Sequence, residues 1–220
     1  MRTSGLLAAV CGLVLFLSGC LTTDANASAK SVLNSLSSLG QIFDRPDTSI
    51  AFPNGLPGDF QEFRSRYQQF GTSPEGAIKM YFDAVFCYLE PTRRAEAVKM
   101  LRYSMHQNAG WEKTSSNATF VSRLNNPQMH YIFRSFAEGT SPENSYAMSP
   151  GNYRLMLESK TAHPDYTQIN LRSSGADSAR PFQLRQYEGL WYVTNNPGSY
   201  ADVRKPRNQI NTNSHDASYD

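Results

Sequence analysis

The stretch from Ser73 to Leu89 constrains this chain more than any other. Ser73-Pro74-Glu75 carries the marks of a helix start: a hydroxyl to cap free amides, a proline whose fixed φ suits the first turn, and an acid near the positive end of the helix dipole. Beyond it Ile78, Tyr81, Phe82, Val85 and Leu89 fall on one helical stripe, and Ala77, Ala84 and Cys87 extend the apolar surface around the cylinder. A helix that is apolar nearly all round has to be enclosed. The rest of the fold is expected to wrap this central core helix.

The flanking pattern supplies the wrapping. Pro91-Thr92 breaks the helix and restarts it, and Val98, Leu101 and Met105 place a second one ending near Ser104. Phe120, Val121 and Leu124 fit a short third. Asn126-Pro127 caps a fourth that carries Met129, Ile132, Phe133 and Phe136. After Gly139 the period changes: Tyr153, Leu155 and Leu157 alternate, as do Thr167, Ile169 and Leu171, and then Phe182 and Leu184. Glu188-Gly189 before Leu190-Trp191-Tyr192-Val193 predicts a tight hairpin in which Trp191 and Tyr192 take opposite faces. Helices first and strands second give an α+β fold, with N-terminal helices packed on a C-terminal antiparallel β-meander.

Residues 60–206 are expected to form this single domain, preceded by an irregular Pro- and Gly-bearing connector from Arg45 to Asp59 and followed by a polar, disordered tail at 207–220. Twelve Phe, 12 Tyr and 2 Trp supply enough apolar mass for a core. A net charge of only +2 argues against a dedicated nucleic-acid partner. Gly71-Thr72-Ser73-Pro74-Glu75 recurs as Gly139-Thr140-Ser141-Pro142-Glu143, but the flanks differ, so capping chemistry recurs here and not a repeat.

The N-terminus speaks to location. Met1-Arg2-Thr3 precedes an apolar run from Leu6 to Leu17, too short to span a bilayer and ending in small residues, as a secretory signal does. Leu17-Ser18-Gly19-Cys20 resembles the lipobox of bacterial lipoproteins. That resemblance implies cleavage of residues 1–19 and acylation of the Cys20 thiol. The bilayer would then be the first partner, because two or three acyl chains anchor a soluble domain stably. Leu21, where the enteric sorting rule would need Asp for inner-membrane retention, implies an outer-membrane lipoprotein whose domain faces the periplasm of the cell envelope. Residues 20–59 then comprise the lipidated Cys20, a tether from Thr22 to Lys30, a short helix with Val32, Leu36, Leu39 and Phe43 on one face, and the connector. That face could dock on the domain, on the membrane surface or on an envelope protein partner. Cleavage removes Cys11 and lipid consumes Cys20, which leaves Cys87 alone, unable to close an internal disulfide and expected to be buried and inert.

No catalytic motif is present. His106, His130, His163 and His215 stand in no metal-binding pattern, no C-x-x-C occurs and no G-x-S-x-G occurs, so neither a metal nor another cofactor is expected. Two polar stretches remain as candidate ligand contacts. One holds Ser174, Asp177, Ser178 and Arg180 between two strands. It reads either as a turn, with Gly175 at positive φ and Arg180 paired to Asp177, or as a loop receiving an anionic or sugar-like ligand. The other holds Glu143, Asn144 and Tyr146, a loop pinned by its own hydrogen bonds or one wall of a pocket.

Thr72 to Ala77, Gly139 to Tyr146, Ser174 to Pro181 and the late Trp191 together resemble a bacterial domain family of unknown function, over roughly Phe70 to Pro206. The resemblance brings a boundary and no catalytic residues. The element order is also similar to the nuclear-transport-factor-two-like fold, which implies a curved sheet forming a cone around an apolar pocket. The leading expectation is a non-enzymatic envelope lipoprotein that binds a protein partner or small ligand. The alternatives are an assembly subunit docking through Val32–Phe43, and a cell-wall or glycan hydrolase with Glu143 and Asp177 as its acids.

Overall fold

The computed structural model describes residues 49–52 and 55–210. The signal stretch, Cys20, the Val32–Phe43 face and the end of the tail lie outside them. Helices α1 (Phe60–Phe70), α2 (Pro74–Leu89), α3 (Arg94–Ser104), α4 (Ala118–Asn125) and α5 (His130–Arg134) come first. Strands β2 (Leu155–Ala162), β3 (Thr167–Leu171), β4 (Arg180–Tyr187) and β5 (Leu190–Asn195) follow. All neighbouring pairs are antiparallel and the sheet curls as a half-barrel, an α+β fold with a curved sheet. Register shifts between Leu157 and Ser159 and between Gln183 and Leu184 add local twist to that curl.

The core helix lies where its sequence requires. Ser73 Oγ accepts a hydrogen bond from the Gly76 amide, and every residue from Gly76 to Tyr88 is buried. Alternate residues of the sheet (Leu155, Leu157, Ile169, Leu171, Phe182 and Leu184) turn into the same core. Phe82 meets Phe136 and Phe182 at ring separations of 5.0 and 5.8 Å. These rings fill the space inside the curve. The apolar pocket that a cone-shaped fold would offer is therefore occupied by the domain's own aromatic side chains. Cys87 is buried, and desolvation pushes its thiol up to about 12.

Two elements go beyond the sequence expectations. The connector contributes a strand, β1 (Ser49–Ile50), which pairs with Leu155 and Met156 and buries Ile50. Two residues show no period, so this strand forms only because β2 offers it an edge. Helix α1 begins with Asp59 accepting from the Glu62 amide while Glu62 Oε2 accepts from the Gly58 amide, a reciprocal cap. Its Phe63 and Tyr67 are completely buried.

The β4–β5 hairpin turns through Glu188 (φ 50°) and Gly189 (φ 83°), the left-handed pair that a two-residue turn needs. Tyr192 faces the core and Trp191 is half-buried. The Trp191 amide donates to Gly71 O at 2.7 Å and Tyr67 Oη donates to Trp191 O at 2.6 Å. These two bonds tie the hairpin to the end of α1. At the other end of the chain, the Arg207 amide donates to Pro142 O, so the polypeptide still packs on the domain past Pro206.

Candidate functional site

The two polar stretches singled out in the sequence do meet, but as a packing junction. Ser145 and Tyr146 both have φ near 55°, which turns the Tyr146 ring inward onto Tyr131 at 5.7 Å, where it is completely buried. Tyr146 Oη donates to Arg204 O at 2.6 Å, and the Arg204 amide donates to Gly175 O at 2.8 Å. Gly175 does not have the positive φ expected of it. It is glycine for clearance, since a Cβ there would lie 2.1 Å from Tyr146 Oη.

The expected Arg180–Asp177 pair does not form either. Asp177 pairs with Arg204, and Arg180 donates to Asp202 O at 2.9 Å. Asn144 folds back on its own loop, accepting from the Ser141 amide and donating to Gly139 O. Glu143 is exposed, and its own backbone amide and the Ser141 hydroxyl hold its carboxyl below the ordinary range. A general acid needs the opposite shift.

Ser174, Asp177 and Ser178 line a cleft of about 430 Å³, together with Glu138, Glu158 and Arg172. Its lining carries three carboxylates against one guanidinium, with Arg172 Nε 3.1 Å from Glu158 Oε2 and Asp177 paired to Arg204 outside the lining. The Ser174 hydroxyl is engaged by Thr140 Oγ1 at 2.9 Å and Ser135 O at 3.1 Å. Glu143, Asn144, Tyr146 and Arg180 are not part of this lining. The two acids proposed for glycan hydrolysis therefore do not share a cleft.

A second cleft, of about 980 Å³, opens between α1, the C-terminal end of α3 and the β4–β5 turn. His106 is among the residues that line it. The His106 amide donates to Tyr103 O and the Gln107 amide to Arg102 O, the paired bonds of a helix terminus whose turning residue is usually glycine. Here that residue is histidine at φ 53°. A side chain in this conformation costs about 1 kcal/mol. The exposed imidazole stacks on Tyr187, with centroids 4.3 Å apart and planes 7° from parallel, and its edge approaches Tyr192 at 4.8 Å.

Arg64, Gln68 and Arg102 complete one wall, with Tyr103 sharing a 3.2 Å hydrogen bond with Gln68, while Gln107, Asn108 and Glu188 form the rim. Among the described residues neither Arg64 nor Arg102 makes an ion pair. Sequence reasoning missed this cleft. Its one local signal was Arg64 and Gln68, four apart on the flank of α1 beside the aromatic face, but segments 64–72, 102–109 and 188–192 meet only in the fold.

Among the described residues no group of three or more His, Cys, Asp or Glu is placed to hold a metal ion, and no helix is long and apolar enough to cross a membrane. His130, beside a predicted helix cap, is a structural histidine: its buried Nε2 lies 2.9 Å from Leu124 O. No curated protein and no solved structure matches the chain. A family model does match, over residues 55–207, and it covers every element from α1 to β5. With its five helices, four of the five strands and the closing Arg207 contact inside that span, the chain belongs to the family described as a domain of unknown function, DUF6935.

Proposed function

We propose that this protein is a binding module of the bacterial cell envelope. It is anchored in the outer membrane through acyl chains on Cys20, with the domain on the periplasmic side and the His106 cleft receiving the ligand. The lipobox-like Leu17-Ser18-Gly19-Cys20 supports the anchor. One observation carries the binding site: a histidine kept at a backbone position where glycine would be unstrained, stacked on Tyr187 at the wall of an open cleft. Local strain is retained where the side chain it presents is used. A volume of about 980 Å³ also stands at the upper end of the ~300–1,000 Å³ typical of small-molecule sites.

Radiolabelled palmitate and membrane fractionation test the anchor: wild-type protein should be labelled and sediment with membranes, and Cys20→Ala should be unlabelled and soluble. Membrane retention of the Cys20→Ala protein would overturn it. The site is tested with detergent-solubilised full-length protein heated beside muropeptides and lipopolysaccharide core oligosaccharides. A ligand at a hundred times its Kd adds about 2.7 kcal/mol. At ~2–4 °C per kcal/mol the midpoint rises by at least 5 °C. The rise should vanish in His106→Ala, and an equal rise in that variant would exclude the cleft.

A further inference from the structure

We infer that the His106 cleft takes an acidic saccharide, with a sugar ring lying on the imidazole and its anionic group held by Arg64 and Arg102; this rests on the reading of the cleft as the binding site. Three features select the class. The first is charge. Two guanidinium groups line one cleft without an ion pair among the described residues, against the single carboxylate of Glu188 at the rim. Arginine presents a planar fork of donors that fits a carboxylate in two parallel bonds.

The second is the ring surface. Tyr192 stacks on Tyr67 at 5.6 Å and meets Tyr103 edge-on at 5.9 Å, so the fold uses those faces itself. His106 is exposed with only one face on Tyr187. A single open ring face suits the C–H side of a sugar, whereas a nucleobase held firmly wants a ring on each side.

The third is the rim. Gln107 and Asn108 there, like Gln68 on the wall, carry both donors and acceptors, which match ring hydroxyls in either role. The aliphatic lining is only Ala109 and Leu190, which gives an acyl chain nothing to lie along.

The test is isothermal titration of full-length protein in nonionic detergent with trigalacturonate and with maltotriose, a neutral chain of equal length. Trigalacturonate should bind at least tenfold more tightly than maltotriose. The affinity for trigalacturonate should fall roughly ten- to hundredfold in Arg64→Gln and in Arg102→Gln, the range for a hydrogen bond to a charged group, and that for maltotriose should not. Both arginines sit on the surface of helices, and circular dichroism verifies that the variants fold. Equal affinity for the two probes, lost together in His106→Gly, would overturn the acidic class and keep the cleft as a site. Trigalacturonate binding unaffected by all three substitutions would overturn both. No heat with either probe, beside a midpoint rise with the sugar-free stem peptide of the muropeptides that His106→Ala abolishes, would overturn the saccharide assignment alone.

Discussion

The most testable consequence of the fold lies inside α2. Lys79 and Asp83, one turn apart, have side chains 2% and 0% exposed, with Nζ 2.7 Å from Oδ1. Tyr153 Oη donates to the same Oδ1 at 2.7 Å, and Nζ lies 4.0 Å from the centre of the Tyr153 ring. Asp83 Oδ2 is buried with no hydrogen-bond partner. Burial pushes the Asp83 carboxyl up and the Lys79 amine down, and each group offsets the shift of the other. At 2.7 Å and an effective dielectric of about 20, their attraction is roughly 6 kcal/mol, most of which compensates the loss of hydration.

Lys79→Met and Asp83→Leu should each cost about 3–5 kcal/mol, because each strands one buried charge. The double variant should return to within about 1 kcal/mol of wild type, since it removes both desolvation costs at once. Urea unfolding followed by circular dichroism at 15 °C measures all four proteins. The pH dependence has opposite signs in the two single variants. Asp83 without Lys79 has a carboxyl pKa above its unfolded value, so the deficit of Lys79→Met should shrink as pH falls toward 4. Lys79 without Asp83 has a depressed pKa, so the deficit of Asp83→Leu should shrink as pH rises toward 10. Single variants within 1 kcal/mol of wild type, or a double variant at the sum of the singles, would refute the reasoning.

Other consequences are narrower. With its thiol pushed up to about 12 against an ordinary value of 9.0, Cys87 should react with Ellman's reagent at pH 8 at least about tenfold more slowly in native than in urea-unfolded protein, the lost thiolate outweighing its greater nucleophilicity; comparable rates would deny its burial. Burial lowers the pKa of His130 below 6.5, so the unfolded chain takes up a proton first as the solution is acidified. Stability should therefore drop by up to about 1.4 kcal/mol per pH unit below 6.5, a slope that urea midpoints at pH 7.5, 6.5 and 5.5 should find missing in His130→Gln. Gly175→Ala drives a Cβ to 2.1 Å from Tyr146 Oη and 2.9 Å from Val203 Cβ, which should cost about 1–3 kcal/mol and be partly relieved by Tyr146→Phe in a thermal melt.

Elements whose residues carry their own period were legible. Helix α2 announces itself through Ser73-Pro74-Glu75 and an apolar surface that has to be enclosed, and the β4–β5 turn through Glu188-Gly189. Helix α1 had equally good signals, Phe60, Phe63, Tyr67 and Phe70 on one face with Asp59 and Glu62 forming the cap. It was obscured by the Pro- and Gly-bearing stretch before it. Strand β1 was not legible at all, because two residues carry no pattern and its pairing comes from β2. Tyr146 and Gly175 lie in the two stretches marked as unusual, which read in sequence either as self-bonded turns or as ligand contacts. What made them unusual was steric: one ring and the one residue without a Cβ that lets the chain pass it.

The same self-bonding bears on where a binding site can arise in this fold. A loop rich in Ser, Asn, Asp and Gly has polar side chains short enough to bond the protein's own groups, and here they do: Asn144 returns to Gly139 and Ser141 of its own loop, and Ser174 bonds the Ser135 carbonyl and the Thr140 hydroxyl of the neighbouring segment. Once those bonds form, little is left for a ligand. Long side chains on helices face the opposite constraint, because the helix already satisfies its own backbone. Arg64 and Gln68 on α1 and Arg102 near the end of α3 keep their donors free of backbone partners, and the hairpin, tied to Gly71 and Tyr67, carries Leu190 and Tyr192 into the same lining. His106 closes the gap only by taking a left-handed turn that glycine would take without strain. The chemistry left open by the fold is therefore concentrated at one junction of three segments distant in sequence, and the strained histidine marks it.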